Sequence, residues 1–287
     1  MTIRAMCGGA AFALPIALSL CLLGAAPARA EDPAQVWSTL ENGTWDALRE
    51  SVIGAAPMVV EGDALRLIAP AVGEDSAAVP VTIEVRRELG DVRELVLLVD
   101  HNPYPVILRA RPGVYLKSLA LRIRMQASSP VRVAARTADG IWHVAARHVQ
   151  VSGGGCSEGG GSANAEAKLL GKVRLAAWGR TDGARLRFQV VHPMETGLAR
   201  DAQGAFIPAY YVFRIDVNSG GRRLLALEST PIARNPTFTA DMDVEPMELA
   251  ALQVTATDST QSIFLSGEPQ LFLEPGVEIP SSHMSRN

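Results

Sequence analysis

The chain has 287 residues, enough for one or two domains, and its 48% hydrophobic and 20% charged residues exclude disorder over the whole length. A formal net charge of −3 argues against a general nucleic-acid binder. Three cysteines are too few for a disulfide scaffold or a four-cysteine metal site, while 25 glycines and 18 prolines predict many turns.

The first thirty residues have the pattern of a secretory signal. Arg4 gives a positive start, residues 10–26 form an apolar run, and the small residues around Arg29 resemble a cleavage site. We predict a signal peptide, residues 1–30, that is cleaved after Ala30. The alternative is a transmembrane anchor, but the run is shorter than about 20 residues and is interrupted by Pro15.

A short helical segment opens the mature chain. Apolar residues recur at helical spacing between Asp32 and Ser51, and Asp32 followed by Pro33 is typical of a helix start. Asn42 and Gly43 are expected to divide this segment into two short helices.

Alternating apolar and polar residues then predict strands in the first half of the chain. The predicted strands are Val79–Val85, Glu94–Val99, Leu119–Met125, Val131–Ala135 and Ile141–Val151. The same pattern resumes after a glycine-rich stretch, with hairpin turns at Asp182-Gly183 and Gly220-Gly221. The predicted strands there are Lys172–Trp178, Ala184–His192, Tyr210–Val217, Arg222–Leu227, Thr237–Met242, Glu248–Thr257 and Ser262–Leu273.

These elements predict an all-β fold of two immunoglobulin-like antiparallel β-sandwich domains, with a short N-terminal helical segment and a glycine-rich arm between the domains. The predicted divisions after the signal peptide are a first sandwich over 31–151, an arm over 152–167, a second sandwich over 168–273 and a flexible tail over 274–287.

Cys156 is the one cysteine that remains after removal of the signal, so it has no partner for an internal disulfide. Glycines on both sides predict a mobile, exposed thiol with a pKa near ~8.5. The flanking glycines are Gly153, Gly154, Gly155, Gly159, Gly160 and Gly161. Three interpretations stay open from composition alone: a plain linker, an intermolecular disulfide, or a site of covalent attachment.

Other functional sites find little support in the sequence. No Cys-x-x-Cys or His-x-x-x-His pattern occurs in the mature chain, so we predict no metal site and no cofactor. The glycine triplets lack the strand, helix and Gly-Lys-Ser/Thr context of a nucleotide loop. His192, which precedes Pro193, is more typical of a loop-ordering residue than of a ligand. We predict no catalytic residue.

Two strings of residues resemble known families. His192–Leu198, followed by Arg200–Gly204, Ile207-Pro208 and Asn235-Pro236, closely resembles SoxZ, the partner subunit of a periplasmic sulfur-oxidation carrier. The first half, with Asp100–Pro105 and the Gly-Gly-Cys arm, resembles SoxY, whose cysteine covalently holds sulfur-oxidation intermediates. The chain thus looks like a SoxY–SoxZ fusion, and is most similar to the SoxYZ-like carriers associated with quinoprotein dehydrogenases.

This resemblance implies a periplasmic carrier of sulfur or thiosulfate oxidation that is not itself an enzyme. Cys156 would hold the cargo on a swinging arm. The SoxZ-like loop would be partner-facing or structural, with residues His192, Pro193, Met194, Glu195, Thr196 and Gly197. Implied partners are Sox-type enzymes, or a quinoprotein dehydrogenase and a c-type cytochrome, with no nucleic acid and no membrane. In contrast to SoxY, the arm is internal and Ser157-Glu158 follows the cysteine, which disfavours thiosulfate as cargo because Glu158 would repel it.

Two other classes of function remain as alternatives. In the first, the chain is a non-covalent docking module for a periplasmic dehydrogenase or cytochrome, and the arm is only a linker. In the second, it is a thiol-dependent enzyme, which would require a depressed pKa of the Cys156 thiol.

Overall fold

The computed structural model describes residues 43–159 and 167–277, which contain one α-helix, α1 (Gly43–Val52), and short 3₁₀ turns between β-strands. The strands of the first half are β1 (Met58–Val60), β2 (Leu65–Ile68), β3 (Val72–Gly73), β4 (Val79–Val85), β5 (Val92–Val99), β6 (Val106–Pro112), β7 (Leu116–Ile123), β8 (Ser129–Thr137) and β9 (Trp142–Val151). Those of the second half are β10 (Val173–Arg180), β11 (Gly183–Val190), β12 (Val212–Ser219), β13 (Arg222–Ser229), β14 (Thr237–Met242), β15 (Leu252–Asp258), β16 (Ile263–Leu265) and β17 (Gln270–Leu273).

The strands form two sheets, and each sheet takes strands from both halves of the chain. The first sheet has the order β1-β9-β8-β5-β6-β13-β12-β15-β16, with β3 also paired to β9. The second has the order β17-β10-β11-β14-β7-β4-β2. Since β6 pairs with β13 and β7 with β14, the two halves lie edge to edge and are joined through both sheets. One hydrophobic core runs between the sheets across this seam.

The predicted all-β sandwich fold is confirmed, and two hairpins fall where the sequence placed them. β10 and β11 meet at Arg180 and Gly183, and β12 and β13 meet at Ser219 and Arg222. The expectation of purely antiparallel sheets is wrong at the edges, because β1 and β3 pair in parallel with β9, and β17 pairs in parallel with β10.

Helix α1 covers the outer face of the first sheet. Trp45 is buried in a second cluster with Val96, Leu98 and Trp142. The guanidinium of Arg132 lies 4.5 Å from the centre of the Trp45 ring, and its Nε and Nη2 donate to the Asp100 carboxylate at 2.8–3.1 Å. The predicted division at Asn42-Gly43 stays a prediction, because the residues before Gly43 lie outside the described part of the chain.

Several sequence predictions lie outside the described residues. They are the signal peptide, the first part of the N-terminal helical segment, Gly160, Gly161 and the end of the tail from residue 278. Where the tail begins, the Glu274 backbone N–H donates to the Gly179 carbonyl at 3.1 Å. None of the helices in the described part of the chain is long and apolar enough to cross a membrane.

Candidate functional site

Cys156 lies in a turn just after β9, and its side chain is buried. Only 4% of the residue is exposed. The turn is closed by the Ser157 backbone N–H, which donates to the Gly154 carbonyl at 2.8 Å. Burial raises the pKa of the Cys156 thiol to about 11, although the nearby charge of Arg124 acts in the opposite direction. The prediction of an exposed thiol with a pKa near ~8.5 is therefore wrong for this state of the protein.

The three glycines before the cysteine are hydrogen-bonded to the sandwich, two of them to the segment that follows β7. The N–H groups of Gly154 and Gly155 donate to the carbonyls of Gln126 and Met125 at 2.9 and 3.1 Å. The Ser76 hydroxyl donates to the Gly153 carbonyl at 3.0 Å. Two backbone hydrogen bonds and one from the Ser76 side chain thus hold the part of the arm that the sequence predicts to be mobile.

Glycine is required here for two different reasons. Gly153 and Gly154 have φ angles of 91° and 85°, which side-chain-bearing residues rarely adopt. Gly155 has an ordinary φ, but a Cβ atom on it would lie 2.0 Å from the Ser76 carbonyl oxygen and 2.8 Å from that of Met125. The turn can approach the sandwich this closely only because residue 155 has no side chain.

Arg124 fastens the turn to both halves of the chain. Its Nη1 donates to the carbonyls of Gly155 at 2.9 Å and Glu158 at 3.1 Å, so it grips the chain on both sides of Cys156. Its Nε donates to the Ile232 carbonyl in the second half at 3.0 Å. Burial lowers the pKa of this guanidinium, while Glu195 and the Cys156 thiol raise it.

Arg124 could not be identified as a site residue from the sequence. It stands in a strand-like segment with no local pattern that marks it, and its partners are far away along the chain. The nearest carbonyl that its guanidinium binds is 31 residues distant. Only the folded structure reveals that these carbonyls converge on one guanidinium.

Two loops that the resemblance singled out meet at the same turn. The Thr196 hydroxyl donates to the Cys156 carbonyl at 2.6 Å, and the Tyr104 hydroxyl donates to the Thr196 carbonyl at 3.0 Å. Asn102 accepts from the Gln126 N–H at 2.8 Å and donates to the Arg124 carbonyl at 2.7 Å. The loop Asp100–Pro105 therefore holds the backbone of residues 124–126, to which Gly154 and Gly155 are hydrogen-bonded.

The SoxZ-like loop is largely turned into the protein. His192, Met194 and Thr196 are buried, whereas Pro193, Glu195 and Gly197 are partly exposed. The buried members make contacts within the chain, which favours the structural alternative for them. A partner-facing role stays a prediction for the partly exposed ones.

Within this loop, His192 lies in a polar cluster with Asp258 and Tyr210. Its Nδ1 accepts from the Met194 N–H at 3.2 Å, which places the proton of the neutral ring on Nε2, 3.7 Å from Asp258 Oδ2. Burial lowers the pKa of His192 to about 4, against the opposing effect of Asp258. Burial and the neighbouring Asp258 raise the pKa of Tyr210 to about 12.

This cluster predicts a loss of stability in mild acid. Because the folded pKa of His192 is below the unfolded value of ~6.5, the unfolded chain binds the extra proton, and stability falls as the pH drops from ~6.5 towards ~4. We expect urea unfolding to show a loss of about 2 kcal/mol between roughly pH 7 and pH 4.5 that is absent in His192→Asn. The Asn variant keeps an acceptor for the Met194 N–H, so an equal acid loss in both proteins would contradict this assignment.

Among residues 43–159 and 167–277, no three His, Cys, Asp or Glu side chains are grouped so that they could hold a metal ion. The chemistry that this site offers is that of a single sulfur atom. The turn that carries it is held shut by hydrogen bonds from both halves of the protein.

Two family models match the chain. Sulfur oxidation protein SoxY matches residues 49–156, and Sulphur oxidation protein SoxZ matches residues 174–266. A solved structure, "Marsupial T cell receptor", is 12% identical over 73% of each chain with a TM-score of 0.22, a likeness too slight to support a conclusion. A search of curated proteins found no match.

Proposed function

The chain is a SoxY–SoxZ fusion, and from that premise we propose that it is a periplasmic carrier whose Cys156 thiol covalently holds a sulfur-type intermediate for partner redox enzymes. The two families support a carrier role in sulfur oxidation rather than catalysis. The observation that carries the proposal is the position of Cys156, which is the last residue of the SoxY match and is also where the loops of both regions converge.

In this proposal the buried turn is the resting state of the carrier. At a pKa of about 11, only roughly one thiol in ten thousand is ionised at neutral pH, against a few per cent for a released thiol with a pKa near ~8.5. Release of residues 153–158 would expose the sulfur and would raise its thiolate fraction more than a hundredfold. The hydrogen bonds to Arg124, Thr196 and Gln126 would then control loading.

Attachment would form an S–S bond between Cys156 Sγ and the sulfur of a cargo thiol or sulfide. Both S–H bonds break, the protons go to solvent, and two electrons leave the sulfur pair. The acceptor of these electrons is the partner redox enzyme, for which we propose a Sox-type enzyme or a quinoprotein dehydrogenase with its c-type cytochrome. The carrier itself needs no change of redox state other than at Cys156.

Intact-mass analysis of the protein isolated from its native host tests the proposal. We expect a fraction of the protein to carry an added mass that a reductant removes and that is absent from Cys156→Ser. The Ser variant is close in size to Cys, so the turn should keep its backbone hydrogen bonds, and growth that depends on the pathway should fail.

The opposite result would favour the rival function. If only the free thiol is found and Cys156→Ser supports the host pathway normally, the carrier proposal fails. The burial of Cys156 would then mark a structural turn between two docking domains.

A further inference from the structure

On the outer face of the second sheet, charged residues that form ion pairs lie at one end and arginines without an ion pair among the described residues lie at the other. At one end the carboxylates are paired: Asp241 with Arg185 at 2.7 Å and Arg180 at 3.4 Å, and Glu84 with Arg66 at 3.8 Å. At the other end lie Arg122, Arg174 and Arg187, all exposed. Within the part of the chain that the structure describes, none of these three forms a salt bridge, and Arg174 is hydrogen-bonded to Gln189 alone.

Two adjoining grooves lie over this unpaired end. One of about 470 Å³ crosses the seam between the halves, and its lining includes Arg122, Arg187, Arg234, Thr82, Thr237 and Thr239. The other of about 610 Å³ continues to the sheet edge, and its lining includes Lys172, Arg174, Arg187, Trp178, Phe272 and Glu268. Arg187 lines both, and Glu268 is the one carboxylate among the described residues that line either groove. The grooves form one donor-rich surface on a protein whose net charge is −3.

From this surface we propose that the grooves dock an extended acidic segment of a partner protein. Arg174 and Arg122 lie three strands apart, because β10, β11, β14 and β7 are successive neighbours. That separation is roughly 14 Å between the backbones, and Arg187 lies between them, so carboxylates spaced along an extended peptide could pair with all three arginines at once.

An aromatic platform at the end of the second groove adds an apolar contact. The rings of Trp178 and Phe272 are stacked with centroids 5.2 Å apart, and Phe272 is 47% exposed. Trp178 is four residues from Arg174 on the same strand, or roughly 13 Å. A partner segment would thus place an aromatic or aliphatic side chain about four residues from its acidic group.

The grooves also lie next to the turn that holds Cys156. Arg122 precedes Arg124 by two residues at the end of β7, and its carbonyl accepts from the Ala233 N–H at 3.3 Å, beside the Ile232 carbonyl that Arg124 holds. A protein docked over the seam would contact the sandwich within a few residues of the site. The docking inference does not depend on the carrier role of Cys156, since it concerns the charges of the sheet face alone.

Binding of a fluorescein-labelled synthetic peptide of Asp and Glu with a single Phe tests the inference by fluorescence anisotropy. We expect saturable binding that weakens with rising salt, and about a tenfold loss of affinity in Arg122→Gln/Arg187→Gln. The matched control is Arg49→Gln/Arg223→Gln, which removes the same charge from α1 and β13 and should bind as the wild type does. Circular dichroism of each variant checks that it is folded.

Four results would overturn the inference. The first is that the peptide does not bind, and the second is that the control variant loses as much affinity as the test variant. The third is tighter binding of a labelled oligothymidylate, with the same dependence on Arg122 and Arg187. The fourth is displacement of the peptide by sodium sulfate well beyond that by sodium chloride at equal ionic strength, which would mark a site for a small anion.

Discussion

Gly155→Ala should raise the rate at which iodoacetamide alkylates Cys156 by about a hundredfold at pH ~8. The new Cβ would have to occupy the space of the Ser76 and Met125 carbonyl oxygens, and backbone cannot move aside as a flexible side chain can. The turn would leave the sandwich, and the pKa of the thiol would fall from about 11 towards its ordinary value. The rate is measured under pseudo-first-order conditions by mass spectrometry.

Two other glycine substitutions test whether the faster alkylation comes from loss of the close contact between the turn and the sandwich or from loss of a glycine as such. Gly159→Ala places its Cβ no closer than 3.6 Å to any neighbour in the described part of the chain, so its rate should match that of the wild type. Gly154→Ala meets no atom within 4 Å but strains a φ of 85°, so we expect a small increase. If Gly155→Ala is folded and its Cys156 is alkylated as slowly as in the wild type, the turn does not need the close approach of residue 155 to the Ser76 and Met125 carbonyls.

The sequence predicts best those strands in which apolar and polar residues alternate strictly and which have clear turn residues at both ends. Val79–Val85 and Thr237–Met242 have the same bounds in the sequence prediction and in the structure. β6 (Val106–Pro112) was missed because Pro105 and Pro112 mark its ends as loop. The edge strands β1, β2 and β3 were also missed, since segments of two to four residues are too short to display a period.

The site was predicted only in part, because its parts are brought together by pairing between distant strands. Cys156 and Thr196 could be named from local motifs, but the hydrogen bond that joins them spans 40 residues. The glycines around Cys156 suggested mobility, since glycine lowers the cost of motion. The same absence of a side chain permits the close contact of Gly155 with Ser76, and the sequence cannot distinguish these two uses.

The seam explains why both regions occur in one functional unit. The donors that hold the Cys156 turn come from the SoxY region through Arg124 and from the SoxZ region through Thr196, while Arg124 also binds Ile232 across the seam. A shift between β7 and β14 would therefore move both sets of contacts at once. We infer that the fit of the two regions determines how firmly the cysteine is held.

Arg124→Met should give the largest loss of stability, about 3–5 kcal/mol by urea unfolding, together with faster alkylation of Cys156. Methionine fills much of the same space but leaves the carbonyls of Gly155, Ile232 and Glu158 without their donor. The first two of these lie where water has little access, so the cost is that of buried, unsatisfied acceptors. Arg124→Lys keeps the charge but donates from a single nitrogen, so it should recover only part of the lost stability.

Arg122→Met is the matched control, because this arginine is two residues away at the same strand end but is exposed. Its stability should change by less than about 0.5 kcal/mol, and the reactivity of Cys156 should stay as in the wild type. If Arg124→Met is as stable as this control and its thiol is equally slow to react, the turn is held mainly by the glycine backbone and Thr196. Fast alkylation with unchanged global stability would instead show that Arg124 secures the turn locally, so that the turn can open while the two sheets stay folded.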